Sequence, residues 1–412
     1  MGDFLLRCSE CRLEYDEDPT LLACPTCTGL QEPGGSTRGV LEVELARLPD
    51  RWPEESPSDP RFLAAFLPVR GPESFPVFPA GGTPLLPAAR LAAHLGLEYL
   101  WIKDDTRNPS GSTKDRASLL VAAKAREYGL GTIAAASTGN AGTALAAVGA
   151  AAGLGTVVFV PASAPEAKLV QMLSYGARVV PVDGTYDDAF ELCLAACQEF
   201  GWYNRNTALN PFTIEGKKTA ALEIARSSAP AIPDVVLVPV GDGVILSGVA
   251  KGFADLASTG LIDRVPRLIA VQPEGSAAVA RAWAAGADDA KPVRGAHSVA
   301  DSLTVEAPRN ARLCLRDIRE SSGAAVTVSD EAIVAAIPDL ASYTGVFAEP
   351  AAAAALAGLE AALSKDLVHA TESVVLLITG TGLKDVPAAA RAIVRPDPVE
   401  PTLEMVARRL GL

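Results

Sequence analysis

Short runs rich in valine, isoleucine and alanine alternate along this chain with longer stretches of helical spacing. The runs predict strands at 132–136, 156–161, 178–182, 235–240, 268–271 and 374–378. The longer stretches predict helices at 141–152, 166–175, 186–200, 215–227 and 350–363. Alternation of this kind predicts an α/β fold built by double winding. The most apolar window, 143–162, approaches the length of a membrane span. Gly153-Leu154-Gly155 divides it into a helix and a strand, so no span is expected. Residues 32–74 carry many prolines, glycines and charges and read as a linker and lead-in.

Composition narrows the picture. At 412 residues the chain exceeds one ordinary compact domain. A net charge of −13 opposes a nucleic-acid surface and suits a soluble cytoplasmic protein. Residues 1–6 run straight into a polar, cysteine-bearing segment, so no secretory leader is expected. The three histidines, His94, His297 and His369, lack any metal or nucleophile context. Their isolation weakens a hydrolase triad and favours lysine chemistry.

Four of the seven cysteines form Cys8-x2-Cys11 and Cys24-x2-Cys27. Two such pairs turn four thiolates toward one tetrahedral ion, with zinc favoured. Disulfides are the competing reading, and the lack of a leader counts against them. Loss of the metal with the cysteines retained is another. Cys193, Cys197 and Cys314 read as buried small hydrophobes.

The chemistry concentrates in turns after strands. Lys114 ends Asn108-Pro109-Ser110-Gly111-Ser112-Thr113-Lys114-Asp115-Arg116, where an amine can meet a bound carbonyl once desolvation or nearby positive charge leaves it partly neutral. The turn Ser137-Thr138-Gly139-Asn140-Ala141-Gly142 offers backbone N–H groups and hydroxyls to a carboxylate, and Asn140 an amide to a ring oxygen. Gly241-Asp242-Gly243-Val244-Ile245 opens a helix whose backbone amides can hold a phosphate. Neither a dinucleotide fingerprint nor a Walker sequence is present. Thr379-Gly380-Thr381-Gly382-Leu383-Lys384-Asp385 places a hydroxyl at the end of the last strand.

Together these motifs resemble those of fold-type-II pyridoxal-phosphate enzymes, and among them the threonine synthase family. Gly81-Gly82-Thr83-Pro84-Leu85, Glu215-Gly216-Lys217-Lys218-Thr219 and Glu349-Pro350-Ala351 also match in order. The resemblance implies a tryptophan synthase β-like fold of two doubly wound α/β domains behind a zinc-ribbon-like segment at 1–42. It places a smaller subdomain at about 121–214, inserted in a larger one formed by 75–120 and 215–400, within a catalytic region at 43–412. Pyridoxal phosphate is the implied cofactor, zinc a possible structural metal, and a homodimer the implied assembly.

The resemblance also implies roles. Lys114 carries the cofactor and moves protons, Asn140 meets the ring oxygen, and Gly241, Asp242, Gly243, Val244 and Ile245 cradle the phosphate. Thr379 faces the pyridine nitrogen, and its hydroxyl leaves that nitrogen unprotonated. Ser137, Thr138 and Gly139 grip the substrate carboxylate. The implied reaction turns O-phospho-L-homoserine and water into L-threonine and phosphate.

One stretch departs from the family. Where the family reads Asn-Ser-x-Asn-Pro-x-Arg, this chain reads Thr207-Ala208-Leu209-Asn210-Pro211-Phe212-Thr213. The missing arginine removes a charge-assisted pair worth ~1.5–3 kcal/mol. Asp242 replaces a family asparagine and would repel a substrate phosphate if aimed at it. Asp242 pointing away, or Arg205, Lys217 or Lys218 standing in for the arginine, would each offset the change. On residue type alone, Lys217 and Lys218 read as a solvated helix face. Thr207 and Thr213 remain the expected substrate contacts. A β-elimination or β-replacement on another amino acid is the competing activity, and a non-catalytic binding protein on the same fold a third reading.

Overall fold

The computed structural model describes residues 3–32, 34–162, 166–228 and 231–412. Three sheets organise them. A three-stranded antiparallel sheet sets Phe4–Cys8 between Glu14–Tyr15 and Leu41–Leu45. The largest sheet has six strands, ordered Ala324–Val328, Arg267–Pro273, Val235–Pro239, Ser373–Ile378, Tyr99–Asp104 and Leu85–Pro87. Its neighbours are parallel except at the Leu85–Pro87 edge. A four-stranded parallel sheet orders Arg178–Val182, Gly155–Pro161, Thr132–Ala136 and Tyr203–Asn204.

Parallel strands covered on both faces need unbroken apolar runs, and Val235–Pro239 is buried at every position. The alanine-rich helix Pro350–Ser364 lets a backbone lie close on such a sheet. A Cβ at its Gly358 would stand 2.3 Å from Val271 Cγ2. The apolar window at 143–162 resolves into the helix Asn140–Ala152 and the strand Gly155–Pro161, joined by left-handed Gly153. Among the described residues no helix is long and apolar enough to cross a membrane.

Two stretches differ from the sequence expectation. The helix expected at 215–227 is two helices, Phe212–Lys217 and Thr219–Ser228, broken at Lys218. The first presses against Lys114–Glu127 so closely that a Cβ at Gly216 would lie 2.5 Å from the Arg116 carbonyl. The linker expected at 32–74 contains structure of its own. Leu41-Glu42-Val43-Glu44-Leu45 alternates and pairs with Phe4–Cys8, carrying the N-terminal sheet past residue 42. Pro60–Phe66 forms a helix, capped by Asp59 accepting from Arg61 N, that buries Phe62, Leu63 and Phe66. The helix Lys114–Glu127 is continuous.

The topology gathers the motif loops. The turns after Thr132–Ala136, Val235–Pro239 and Ser373–Ile378 all leave the carboxyl ends of parallel strands, where open α/β sheets bind ligands.

Candidate active site

Lys114 opens the helix Lys114–Glu127 and is partly exposed. Its amine is nonetheless pulled down to about 8, by desolvation first and then by the Arg205 guanidinium. An amine in that range is partly neutral near physiological pH, as a nucleophile must be. Backbone pairing fixes its position: Thr113 N donates to Thr379 O at 2.8 Å, and Thr381 N to Gly111 O at 3.0 Å. The lysine motif and the last-strand motif therefore meet. The hydroxyls of Ser112 and Thr113, beside Lys114, are buried without a partner among the described residues.

Asn140 is the first residue of its helix and is buried. Its Nδ2 donates to Glu349 Oε1 at 2.6 Å, while Oδ1 has no partner among the described residues. Burial pushes the Glu349 carboxyl upward. Glu349 N bonds Gly380 O at 3.0 Å, and a Cβ at Gly380 would stand 2.3 Å from Glu349 Oε1. Glycine at 380 thus makes room for a carboxylate that sequence reasoning saw only as part of a helix start. In the turn, Ser137 Oγ accepts from Gly139 N at 3.2 Å and Gly142 N at 3.0 Å. Thr138, between them, is half-buried. Lys168, also missed, bonds Asp301 at 2.7 Å and sets its ammonium 3.4 Å from the Cβ position of Gly139. A cation thereby stands over a turn suited to a carboxylate.

The glycine loop caps the helix Val244–Ser258. Gly243 has φ 92°, and a Cβ there would meet Cys314 Cβ at 2.7 Å. Asp242 Oδ1 accepts from Arg309 N at 3.2 Å, and Asp242 O accepts from Asn310 N at 3.2 Å. The carboxylate is thus engaged by a neighbouring loop. The first amides of the helix, at Val244 and Ile245, have no acceptor within it.

Facing the loop is the stretch that departs from the family. Thr207 Oγ1 accepts from Arg205 Nη1 at 3.0 Å, and buried Thr213 donates to Asn210 O at 2.8 Å. Lys217 and Lys218 are fully buried, which corrects their reading as a solvated face. Lys218 pairs with Asp255 at 2.8 Å and with Glu215, partners that the local sequence pattern does not reveal.

A buried ion network holds the scaffold. Arg116 donates to Asp105 at 2.7 and 2.8 Å, to Glu223 Oε2 at 2.8 Å and to Thr219 Oγ1 at 2.9 Å. Glu223 also accepts from Gly82 N at 2.8 Å. Three motifs distant in sequence are thereby locked together.

Four of the cysteines form a cluster of their own. Cys8, Cys11, Cys24 and Cys27 place their sulfurs within 4.8 Å of one another. Cys8–Cys27 at 3.7 Å and Cys11–Cys24 at 3.6 Å match the ~3.8 Å edge of a tetrahedron with ~2.3 Å Zn–S bonds. They are far too long for disulfides. Against the upward push of burial, bonds from Tyr15 and Cys27 N hold the Cys24 thiol down to about 6. A Cβ on Gly39, at φ 71°, would stand 2.8 Å from Cys24 Cβ. Cys193, Cys197 and Cys314 are buried, as expected.

A family profile described as pyridoxal-phosphate dependent enzyme matches residues 78–380. The chain is 37% identical over 382 residues to the threonine synthase of Methanosarcina acetivorans, covering 92% of each. The chain belongs to the threonine synthase family. A threonine synthase of Methanocaldococcus jannaschii is 34% identical over 412 residues, covering 98% of this chain and 99% of the relative. Solved structures show the same fold-type-II architecture. Threonine deaminase isoform 2 from Solanum lycopersicum superposes with TM-score 0.63 at 24% identity, covering 73% of this chain and 79% of that one. Diaminopropionate ammonia lyase from Escherichia coli gives TM-score 0.66 at 18% identity, covering 83% and 92%.

The cofactor of a threonine synthase is pyridoxal phosphate, and the residues present fit it. A partly neutral amine, unpartnered buried polar atoms on Ser112, Thr113 and Asn140, and a helix start opened by glycines supply an amine, hydrogen-bonding groups and a phosphate cradle.

Proposed function

We propose that the chain converts O-phospho-L-homoserine and water into L-threonine and phosphate. The observation that carries this reading is the Lys114 amine, held near 8 between the Asn140 turn and the glycine loop. Two threonine synthases aligned over nearly the whole chain support it.

Pyridoxal phosphate, when bound, supplies an electron sink for charge left on substrate carbon. The chain does the rest. Lys114 would hold the cofactor, and its amine would take and return protons at the substrate carbons. Backbone N–H groups of Gly241, Asp242, Gly243, Val244 and Ile245 bind the cofactor phosphate. The second N–H of Asn140 would be available to the cofactor's ring oxygen, and the Thr379 hydroxyl to its pyridine nitrogen. Ser137, Thr138 and Gly139 hold the α-carboxylate under Lys168. Thr207 and Thr213 line the end that receives the leaving phosphate. The Cγ–O bond breaks with departure of phosphate, and water adds at Cβ.

Four thiols at tetrahedral spacing support a structural zinc in the N-terminal segment. The same reading carries a cytoplasmic homodimer, an N-terminal unit at 1–42, and a smaller subdomain at 121–214 within 75–120 plus 215–400. A β-elimination on an unphosphorylated amino acid is the competing reading, motivated by the absent arginine; the buried Lys217 ammonium, 3.1 Å from Thr213 O, supports a phosphorylated substrate instead.

Purified, cofactor-loaded protein given O-phospho-L-homoserine should release phosphate and threonine in equal amounts. Inactivity there, with 2-oxo acid formed from serine or threonine, would favour the elimination reading.

A further inference from the structure

Two large cations beside the candidate site have no carboxylate in direct contact among the described residues; Asp115 acts on Arg205, and Asp242 on Lys217, only at longer range. Arg205 is 1% exposed, bonding Ser118 Oγ at 3.2 Å and Thr207 Oγ1 at 3.0 Å, with Nη2 unpartnered among the described residues. Lys217 is also 1% exposed, and its Nζ reaches Thr213 O at 3.1 Å. Among the described residues neither forms an ion pair, in contrast to Lys218. The charges facing Lys217 are Lys114, Arg205 and Asp242. Buried charge of one sign is costly unless an anion joins it.

The placement of Lys217 is specific. Residues 213 and 217 lie one helical turn apart on one face, and helical side chains lean toward the N-terminus. Lys217 therefore carries its ammonium back to the level of residue 213, as the bond to Thr213 O records. Position 213 is where the family carries its arginine. The cofactor phosphate already has the amides at the start of Val244–Ser258.

We propose that Lys217, supported by Arg205, binds the phosphate of the substrate in place of the absent arginine at 213. This assignment rests on the threonine synthase reading and names the residues that select a phosphorylated substrate. A lysine four residues on restores one positive charge at the same place, as a point charge without the planar two-bond grip of a guanidinium.

The test compares cofactor-loaded wild type, Lys217→Met and the double variant Thr213→Arg/Lys217→Met. Methionine keeps the volume and removes a buried unpaired charge, so folding should persist. KM for O-phospho-L-homoserine and Ki for inorganic phosphate should each rise roughly tenfold to hundredfold in Lys217→Met. Cofactor affinity, and the midpoint of the visible-spectrum change on adding L-threonine, should stay within about twofold, and the double variant should regain most of the KM loss. An unchanged KM and Ki would overturn the assignment. Loss of cofactor affinity instead would overturn it too, giving the charge to the cofactor's phosphate. A wild type that fails to turn over the substrate would sink the functional reading alone. Competition of phosphate with L-threonine, and its loss in Lys217→Met, would still test the anion site.

Discussion

Asn140 Nδ2 donates to Glu349 Oε1 across 2.6 Å, joining the turn after Thr132–Ala136 to the start of the helix Pro350–Ser364. The bond fixes the amide proposed to meet the cofactor ring, and Gly380 leaves the space the carboxylate needs. Gly380→Ala should push the carboxylate off Asn140 and behave like Glu349→Ala. Both should lower kcat about tenfold or more through loss of a charge-assisted hydrogen bond. Both should also shift the visible absorption of the bound cofactor. Steady-state rates and absorption spectra check this, and a Gly380→Ala protein with wild-type rate and spectrum would contradict it.

The amine of Lys114 sets a pH dependence. Its folded value of about 8 lies below the ordinary 10.5, so the neutral, reactive form gains as pH rises toward 8 and is nearly complete above it. Capture of pyridoxal phosphate by the cofactor-free protein should therefore accelerate about tenfold per pH unit below 8 and level off above it. Stopped-flow absorbance checks the profile. A rate still climbing at pH 10 would mean an unperturbed lysine. The same shift should make the cofactor-free protein more stable with rising pH between about 8 and 10.5, because there the unfolded chain binds more protons.

Glu223 serves Arg116, Lys103 and two backbone amides while wholly buried. Glu223→Ala strands those cations and should cost about 3–5 kcal/mol of stability. Urea denaturation followed by fluorescence measures it. A loss near zero would mean that the network is not the scaffold's lock.

The cysteine cluster predicts one metal ion per chain. Metal analysis of purified protein should find zinc at one equivalent. Gly39→Ala, which crowds Cys24 and Cys27 at a left-handed backbone, should lower both metal content and thermal midpoint. Full folding without metal would contradict a structural role.

Much of the fold was legible because parallel strands buried on both faces write themselves as apolar runs. The strand Thr132–Ala136 and the helix Tyr186–Phe200 lie where periodicity puts them. The motif turns were legible because glycines and hydroxyls cluster at strand ends. Lys217 and Lys218 were not, since adjacent lysines look solvated until Asp255, 37 residues from Lys218, supplies a buried partner. Glu349 was hidden for the same reason: its partner Asn140 is 209 residues away. Leu41–Leu45 and Pro60–Phe66 were masked by surrounding prolines and charges. Local pattern shows what an element is, and its burial depends on partners brought in by the fold.

The most direct measurement is to reduce the cofactor-loaded protein with borohydride, digest it, and locate the trapped cofactor by mass spectrometry. Several buried lysines have lowered values, Lys103, Lys217 and Lys384 among them, so the outcome is not fixed by burial alone. The cofactor should be found on Lys114 and be absent from the Lys114→Ala variant. Attachment at another lysine, or none at all in protein saturated with pyridoxal phosphate, would contradict the account.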